Sequence, residues 1–465
     1  MMGNRKLHFA NALLPTGWAE NVEVTFDGDG LVGAVTADTP APDGAPISGF
    51  AIPGLPNVHS HAHQRAMAGL AERAGPGSDS FWTWREAMYA FAARMTPQDL
   101  KAIAAQLYVE MLKGGYTAVG EFQYLHHQPN GVAYGHRAEM SLGCLAAAED
   151  TGIAITMLPV LYAYSDFGGA PPLERQARFI NDADGMADIL NQVATATAKL
   201  PAANFGLAPH SLRAVTVPLL SDVITELDRI NPAAPIHIHI AEQVLEVEAC
   251  LATNGQRPVE MLLDQIVVND RWCAIHATHI SPNESKGLAS SGAVAGLCPT
   301  TEANLGDGIF PAPGFIGAGG AISIGSDSHI TVDASDELRI LEYSQRLRDG
   351  GRNILACGPD QSTGRTLLDR VLAGGAQALG QPVGALEVGR RADIVVLDDD
   401  HPALAGRQGD GALDSWIFSG GRSCVRDVYV GGQHVIESGR HRDEDAILQT
   451  FRSTLDRLVT EADIT

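Results

Sequence analysis

An α/β fold, a (β/α)8 TIM-type barrel with a small β-sandwich domain built from both chain ends, is predicted by three features of this sequence. Between residues 51 and 380, short apolar runs alternate with longer stretches of helical periodicity. The runs are near-continuous in apolar character, as parallel strands buried on both faces require. Eight of them can be counted, and the flanking segments revert to short strand-like pieces separated by Gly, Asp and Pro turns. A doubly wound parallel sheet is the competing arrangement.

In chain order, residues 1–50 carry strand signals at Val22–Phe26 and Leu31–Val35. The barrel zone opens with the run ending at His59. It continues through Ala118–Phe122, Ile153–Leu161, Phe205–Ala208, Ile236–Ile240, Ala274–His276, Ala293–Leu297 and Ala321–Gly325. Helices are expected over 97–114, 173–199, 216–230 and 242–253. Residues 381–441 return to strands at Ala392–Leu397 and Val425–Ile436, the latter interrupted by the hairpin signal Gly431-Gly432. Residues 1–50 and 381–441 are expected to pair into the composite β domain, and 442–465 to form a C-terminal helix.

With 45% hydrophobic and 19% charged residues the chain is globular in composition. A formal charge of −23 argues against nucleic acid or an anionic membrane as partner. It also means that an acidic substrate would need a local island of positive charge. No apolar run reaches transmembrane length. The six cysteines form no C-x-x-C pair and read as reduced core residues, with the cytoplasm as the expected compartment.

Residues with metal-binding chemistry recur where strands should end. His59 and His61 have spacing two, so both imidazoles point to one face of a strand end. His237, His239 and Glu242 follow the fifth run, His276 the sixth, and Asp327 the eighth. Strand C-termini of a barrel share one face, so these side chains would converge. Three histidines and a carboxylate suit a divalent transition metal, zinc above all, with a position left for water. Alternation does not decide between His237 and His239, which share a face. Asp327 could instead cap a helix, and Glu242 could complement a helix dipole. Arg213 lies three residues after His210 at the fourth strand end, and Arg85 sits in Trp82-Thr-Trp-Arg85 among large apolar neighbours. Guanidinium groups suit bidentate carboxylate recognition.

With these residues in view, the chain resembles the amidohydrolase superfamily in its mononuclear deaminase branch. The fourth strand carries no metal-bridging lysine, since Lys199 precedes it at the wrong end. Longer matches point to the formimidoylglutamate-hydrolysing deiminases of that superfamily. They are Asn57-Val-His-Ser-His-Ala-His-Gln-Arg, Ser80-Phe-Trp-Thr-Trp-Arg-Glu, Glu121-Phe-Gln-Tyr-Leu-His-His, Ala208-Pro-His-Ser-Leu-Arg213, Leu297-Cys-Pro-Thr-Thr-Glu-Ala-Asn-Leu-Gly-Asp and Gly325-Ser-Asp-Ser-His. One departure is Gln123, where the pattern has a histidine.

The resemblance implies one zinc ion held by His59, His61, His239 and Asp327, and catalysis by Glu242, His276 and Asp327. It also implies substrate binding by Gln64, Arg85, Tyr124, His210 and Arg213. The implied reaction is hydrolysis of N-formimidoyl-L-glutamate, a small dicarboxylate, to N-formyl-L-glutamate and ammonia, by a homodimer. The alternatives are another mononuclear amidohydrolase, either an aromatic-base deaminase or an imidazolonepropionase-like ring hydrolase, and a non-catalytic barrel scaffold. The scaffold is disfavoured because no metal ligand is missing. The glycine-containing stretch 69–80 is a candidate lid.

Overall fold

The computed structural model describes residues 5–41, 44–72, 81–358 and 360–462. Strands from both ends of the chain join in one sheet of eight among the described residues. Its order is Arg440–His441, Gln433–Glu437, Val425–Val430, Ile394–Leu397, Ile47–Pro53, Arg5–Leu14, Gly17–Phe26 and Val32–Thr36. The seam between the two chain ends is the antiparallel pairing of Ile394–Leu397 with Ile47–Pro53, with Val396 opposite Ala51. The pairing makes one continuous ladder across both ends, and the sheet curls back on itself, since Phe9 and Tyr429, three strands apart in it, meet with ring centroids 6.2 Å apart. Ile47–Pro53 also carries the sheet past residue 50. Phe9, Val22, Val24, Phe26, Ile394 and Val396 form the core of this part. Gly431 and Gly432 turn the hairpin of Val425–Val430 and Gln433–Glu437 with φ of 54° and 72°, the left-handed pair that a two-residue turn needs.

Two parallel sheets occupy the middle of the chain. The first contains β1 (Leu55–Ser60), β2 (Tyr116–Gln123), β3 (Ala154–Leu161) and β4 (Ala203–Phe205), with Ala208–Pro209 adding to β3. The second contains β5 (Ile236–Ile240), β6 (Trp272–His276), β7 (Val294–Leu297) and β8 (Ala321–Ile324). Every residue of β1, β2, β3, β5, β6 and β7 is buried, which is why these runs lack a polar alternation. Parallel bridges at Leu207/Ile236 and Ser60/Asp327 link the two sheets at both ends.

Helix Pro97–Lys113 begins at a capping box in which Thr96 and Asp99 satisfy each other's backbone N–H groups. The helix expected over 173–199 is confined to Ala183–Thr197. Asp182 caps it by accepting from the Gly185 N–H at 2.8 Å. The preceding stretch holds only the short 3-10 turn Glu174–Gln176, and after it Arg178 is buried, donating to the carbonyls of His127 and Met95 at 2.8 Å each. Helix Glu444–Ala462 docks on Pro97–Lys113 through the ion pairs Lys113–Glu444, at 2.8 Å, and Arg457–Asp99. Among the described residues no helix is long and apolar enough to cross a membrane.

Candidate active site

The C-terminal ends of β1 and β8 are tied by backbone before any side chain is considered. The Asp327 N–H donates to the His59 carbonyl at 3.0 Å, and the His61 N–H donates to the Asp327 carbonyl at 3.2 Å. The turns that follow β5, β6 and β8 carry non-glycine residues in the left-handed region: Ala241 at φ 51°, His276 at 67°, Ala277 at 48° and Asp327 at 47°. Such conformations cost about 1–3 kcal/mol each and persist where the surroundings over-determine them, as at functional sites.

Those turns bring four donor atoms together. The Nε2 atoms of His59 and His239 lie 3.0 Å apart, and those of His61 and His239 lie 3.3 Å apart. Asp327 Oδ1 stands 3.3 Å from His59 Nε2 and 3.4 Å from His61 Nε2. His61 donates from Nδ1 to the Phe122 carbonyl, and His239 from Nδ1 to the His210 carbonyl, each at 2.9 Å. Burial, reinforced by neighbouring imidazoles, holds the pKa of His59 and His239 well below the ordinary histidine value; burial likewise lowers that of His61, against the pull of Asp327. Burial thus favours the neutral form of all three rings.

With their protons on Nδ1, His61 and His239 turn Nε2 lone pairs toward each other, an arrangement that only a cation between them makes favourable. A tetrahedral ion about 2.0–2.1 Å from each ligand requires ligand separations of about 3.3–3.4 Å, close to those found. The donor set thus fits a divalent metal, and the backbone carbonyls behind it set the imidazole orientation. Phe122 closes the apolar side, its ring centroid 4.3 Å from that of His239 and 5.0 Å from that of His59.

His237 lies on the same strand but does not join the cluster of His59, His61 and His239 donors. Its Nε2–H donates to the Ala378 carbonyl at 2.7 Å, which anchors the ring there. Lys199 is exposed in the turn before β4. Gln123 is buried behind the site, 4.0 Å from Cys144 Sγ.

Carboxylates surround the next shell of the site. His276 Nε2 is 3.7 Å from Asp327 Oδ2 and 3.8 Å from Glu242 Oε1, while its Nδ1 faces Glu302 Oε1 at 3.3 Å. Burial works against the imidazolium of His276, but the three carboxylates outweigh it and raise the pKa. Burial raises the pKa of Glu242, opposed by His276 and aided by Asp327 and Glu246. A carboxyl group of this kind can both take and give a proton near neutral pH. Glu246 fixes the turn by accepting the N–H groups of Ala241 and Glu242 at 3.2 and 3.1 Å.

One cleft is lined by His61, His239, Glu242, His276 and Asp327 together with Gln64, Arg85, Tyr124, His210 and Arg213. His59 lies fully buried beneath it. Arg85 and Arg213 both disfavour a protonated His210 and both oppose the burial that raises the Tyr162 pKa, so their charges bear on one side of the cleft. Gln64 donates to the Tyr124 hydroxyl at 3.0 Å, and His63 Nε2 meets the same oxygen at 2.8 Å.

Sequence reasoning missed Tyr89, Tyr162 and Phe179 in the walls, and Glu246 and Glu302 behind them. Helical spacing held a signal for two of these. Tyr89 is four residues after Arg85, whose guanidinium lies 5.7 Å from its ring, and Glu246 is four after Glu242. Residues 73–80 of the candidate lid and the Trp82 side chain lie outside the described residues.

The model of the Amidohydrolase family matches residues 50–435, which span the donor set and the seam strand of the terminal sheet. The chain belongs to the amidohydrolase family. This amidohydrolase is 51% identical over 450 residues to a formimidoylglutamate deiminase of Pseudomonas aeruginosa, covering 96% of this chain and 98% of that one. It is 28% identical to a 5-methylthioadenosine/S-adenosylhomocysteine deaminase of Natronomonas pharaonis, over 92% and 89% of the two chains. Among solved structures, an amidohydrolase from Brucella melitensis superposes with a TM-score of 0.92 at 48% identity, covering 98% of this chain and all of that one. An adenosine deaminase from Xanthomonas campestris, solved with bound zinc, shares the fold with a TM-score of 0.80 at 23% identity, over 98% of each chain.

Proposed function

We propose that this chain hydrolyses N-formimidoyl-L-glutamate to N-formyl-L-glutamate and ammonia, a step of histidine degradation. The observation that carries this reading is the placement of Arg85 and Arg213 in the same cleft as the four metal-type donors. Two guanidinium groups suit the two carboxylates of such a substrate and explain how a chain of net charge −23 receives it. The Pseudomonas aeruginosa relative is named for the same chemistry.

On this reading His59, His61, His239 and Asp327 hold one zinc ion. When bound, that ion supplies a water acidified toward a pKa of ~7 as the nucleophile. Glu242 takes a proton from the attacking water and delivers it to the terminal nitrogen of the formimidoyl group. Asp327 accepts the remaining water proton and passes it on, so that both end on the departing nitrogen. A C–O bond forms, a C–N bond breaks and ammonia leaves. His276, between Glu242 and Asp327, orients the water and the intermediate. Gln64, Tyr124 and His210 hydrogen-bond the substrate.

The two parallel sheets, linked at Leu207/Ile236 and Ser60/Asp327, are read as one (β/α)8 barrel over 51–380. The strands within 1–50 and 381–441 are read as the composite β domain, and Glu444–Ala462 as the C-terminal helix. A homodimer follows from the family resemblance. A cytoplasmic location agrees with six free cysteines, five of them buried.

The aromatic residues Trp84, Tyr89, Tyr124, Tyr162 and Phe179 in the cleft favour a second reading, deamination of an aromatic base. Ammonia release from formimidoylglutamate, measured against guanine, cytosine and 5-methylthioadenosine, separates the two. A preference of about 10²–10⁴-fold for formimidoylglutamate is expected, because the other substrates forgo two charge-assisted hydrogen bonds of about 1.5–3 kcal/mol each. Preference for a base would overturn the proposal.

A further inference from the structure

We infer that His329, acting with Ser60 and Glu121, is a positioning residue that sets the spacing of the metal centre by locking the end of β1 to the turn after β8. This inference rests on the reading of His59, His61, His239 and Asp327 as metal ligands. Two of those ligands lie at the end of β1 and a third lies in the turn after β8, so the donor set spans the junction of the two sheets. Backbone pairing alone spans it with a single isolated bridge, at Ser60 and Asp327.

A buried chain of polar side chains spans the same junction. Asn57 in β1 donates from Nδ2 to Ser326 Oγ at 2.6 Å and accepts the Ser326 N–H at 3.1 Å. Ser326 Oγ meets His329 Nδ1 at 3.0 Å, and His329 Nε2 shares the His61 N–H with the Asp327 carbonyl, each at 3.2 Å, and lies 3.2 Å from Ser60 Oγ. That acceptor role puts the His329 proton on Nδ1, where it is donated to Ser326. From the other side, Ser60 Oγ donates to Glu121 Oε2 at 2.6 Å, and Glu121 Oε1 accepts the Ala62 N–H at 2.7 Å. Tyr108 adds a third donor to Glu121 at 3.2 Å. Asn57, Ser60, Glu121, Ser326 and His329 have no exposed surface.

The attachment points bracket the ligands. Ser60 separates His59 from His61, the His61 and Ala62 N–H groups are both captured, and Ser326 and His329 flank Asp327. None of Ser60, Glu121 or His329 lines the cleft, so none reaches a substrate there. A buried polar chain is costly to desolvate, and apolar packing would stabilise a strand junction at least as well. What the chain adds is direction: each hydrogen bond fixes where a ligand-bearing backbone segment sits. The 3.3 and 3.4 Å separations of Asp327 from His59 and His61 depend on that placement. Residues behind metal ligands typically change metal affinity by about 10- to 100-fold when removed.

The test is zinc affinity, measured on metal-stripped enzyme by competition with a chromophoric chelator, alongside the Tm of each metal-free protein. His329→Leu is expected to raise the zinc Kd about 10- to 100-fold. His329→Gln should recover most of that loss, because its amide can accept from the His61 N–H and donate to Ser326. A folded His329→Leu protein whose Kd stays within about twofold of the parent overturns the inference. So does an equal loss in His329→Leu and His329→Gln, which would make ring volume the cause. If His329→Leu does not fold, Ser60→Ala decides by the same twofold criterion. A parent enzyme that binds no zinc would instead remove the metal reading itself.

Discussion

The carboxylate of Glu246 accepts the backbone N–H of Glu242 at 3.1 Å, so one buried acid sets the direction of another. Glu242 is thereby held with Oε1 3.8 Å from His276 Nε2 and is not free to swing into the helix it precedes. Its position suits proton transfer and lies outside the four-atom donor set.

Glu242→Gln keeps the shape and removes the proton carrier. We expect zinc content to be unchanged and kcat to fall by about 10²–10⁴-fold, the usual contribution of a general acid–base. Zinc analysis and steady-state ammonia release on the same preparation check it, and near-normal turnover would take Glu242 out of the chemistry.

Arg213→Ala should leave the metal bound and weaken the substrate. A charge-assisted hydrogen bond contributes about 1.5–3 kcal/mol, which predicts a loss of about 10- to 100-fold in kcat/KM, chiefly through KM. Arg85→Ala is expected to act in the same way. Unchanged kinetics for both would refute the carboxylate clamp.

Removal of the metal by a chelator should abolish activity, and stoichiometric zinc should restore it. Because the ion binds only the folded donor set, it should also raise Tm, by linkage worth about 2.7 kcal/mol at a hundredfold excess over Kd. His239→Ala should lose both effects. Calorimetry with and without zinc tests this independently of turnover.

Gly325 marks where β8 passes closest to β1. A Cβ built on it would lie 2.7 Å from His59 Cβ and 2.8 Å from His59 N. Gly325→Ala must therefore push the two strands apart, at a cost of about 1–3 kcal/mol. Both Tm and zinc affinity should fall; a normal zinc Kd would show that the ligands tolerate the shift.

Asp99 supplies a pH signature away from the site. Burial raises its pKa, but hydrogen bonds from Arg457 and Thr96 prevail and hold the carboxyl below its ordinary value. A depressed native pKa means stability present above the unfolded value of about 4 and lost as pH falls through the native one. Asp99→Asn should lower Tm at neutral pH, by about 1 kcal/mol of lost cap, since Arg457 is largely solvated. The gap should close as pH drops below about 4. A gap constant from pH 7 to 3 would disprove the linkage.

Much of this molecule could be read from the order of its residues. The apolar runs that become β1 to β8 are legible because strands buried on both faces cannot alternate. Helix Pro97–Lys113 is announced by Thr96, Pro97 and Asp99, and the hairpin of Val425–Val430 and Gln433–Glu437 by Gly431-Gly432. His59, His61, Asp327 and the arginines stand out because their chemistry is unusual at strand ends. These are local signals, carried by neighbours in the chain.

Other features exist only once distant segments meet. The choice of His239 over His237 turns on the Ala378 carbonyl, 141 residues from His237, which anchors the His237 ring apart from the His59, His61 and His239 cluster. The single terminal sheet depends on Val396 finding Ala51. Glu302 behind His276, and the chain from Asn57 to Glu121 through His329, are pairings of sequence-distant polar groups that no periodicity encodes. Residue types and spacings set which atoms could bind a metal. Tertiary packing decided which nitrogens keep their lone pairs and how far apart they stand, because a hydrogen bond to a remote carbonyl selects the tautomer.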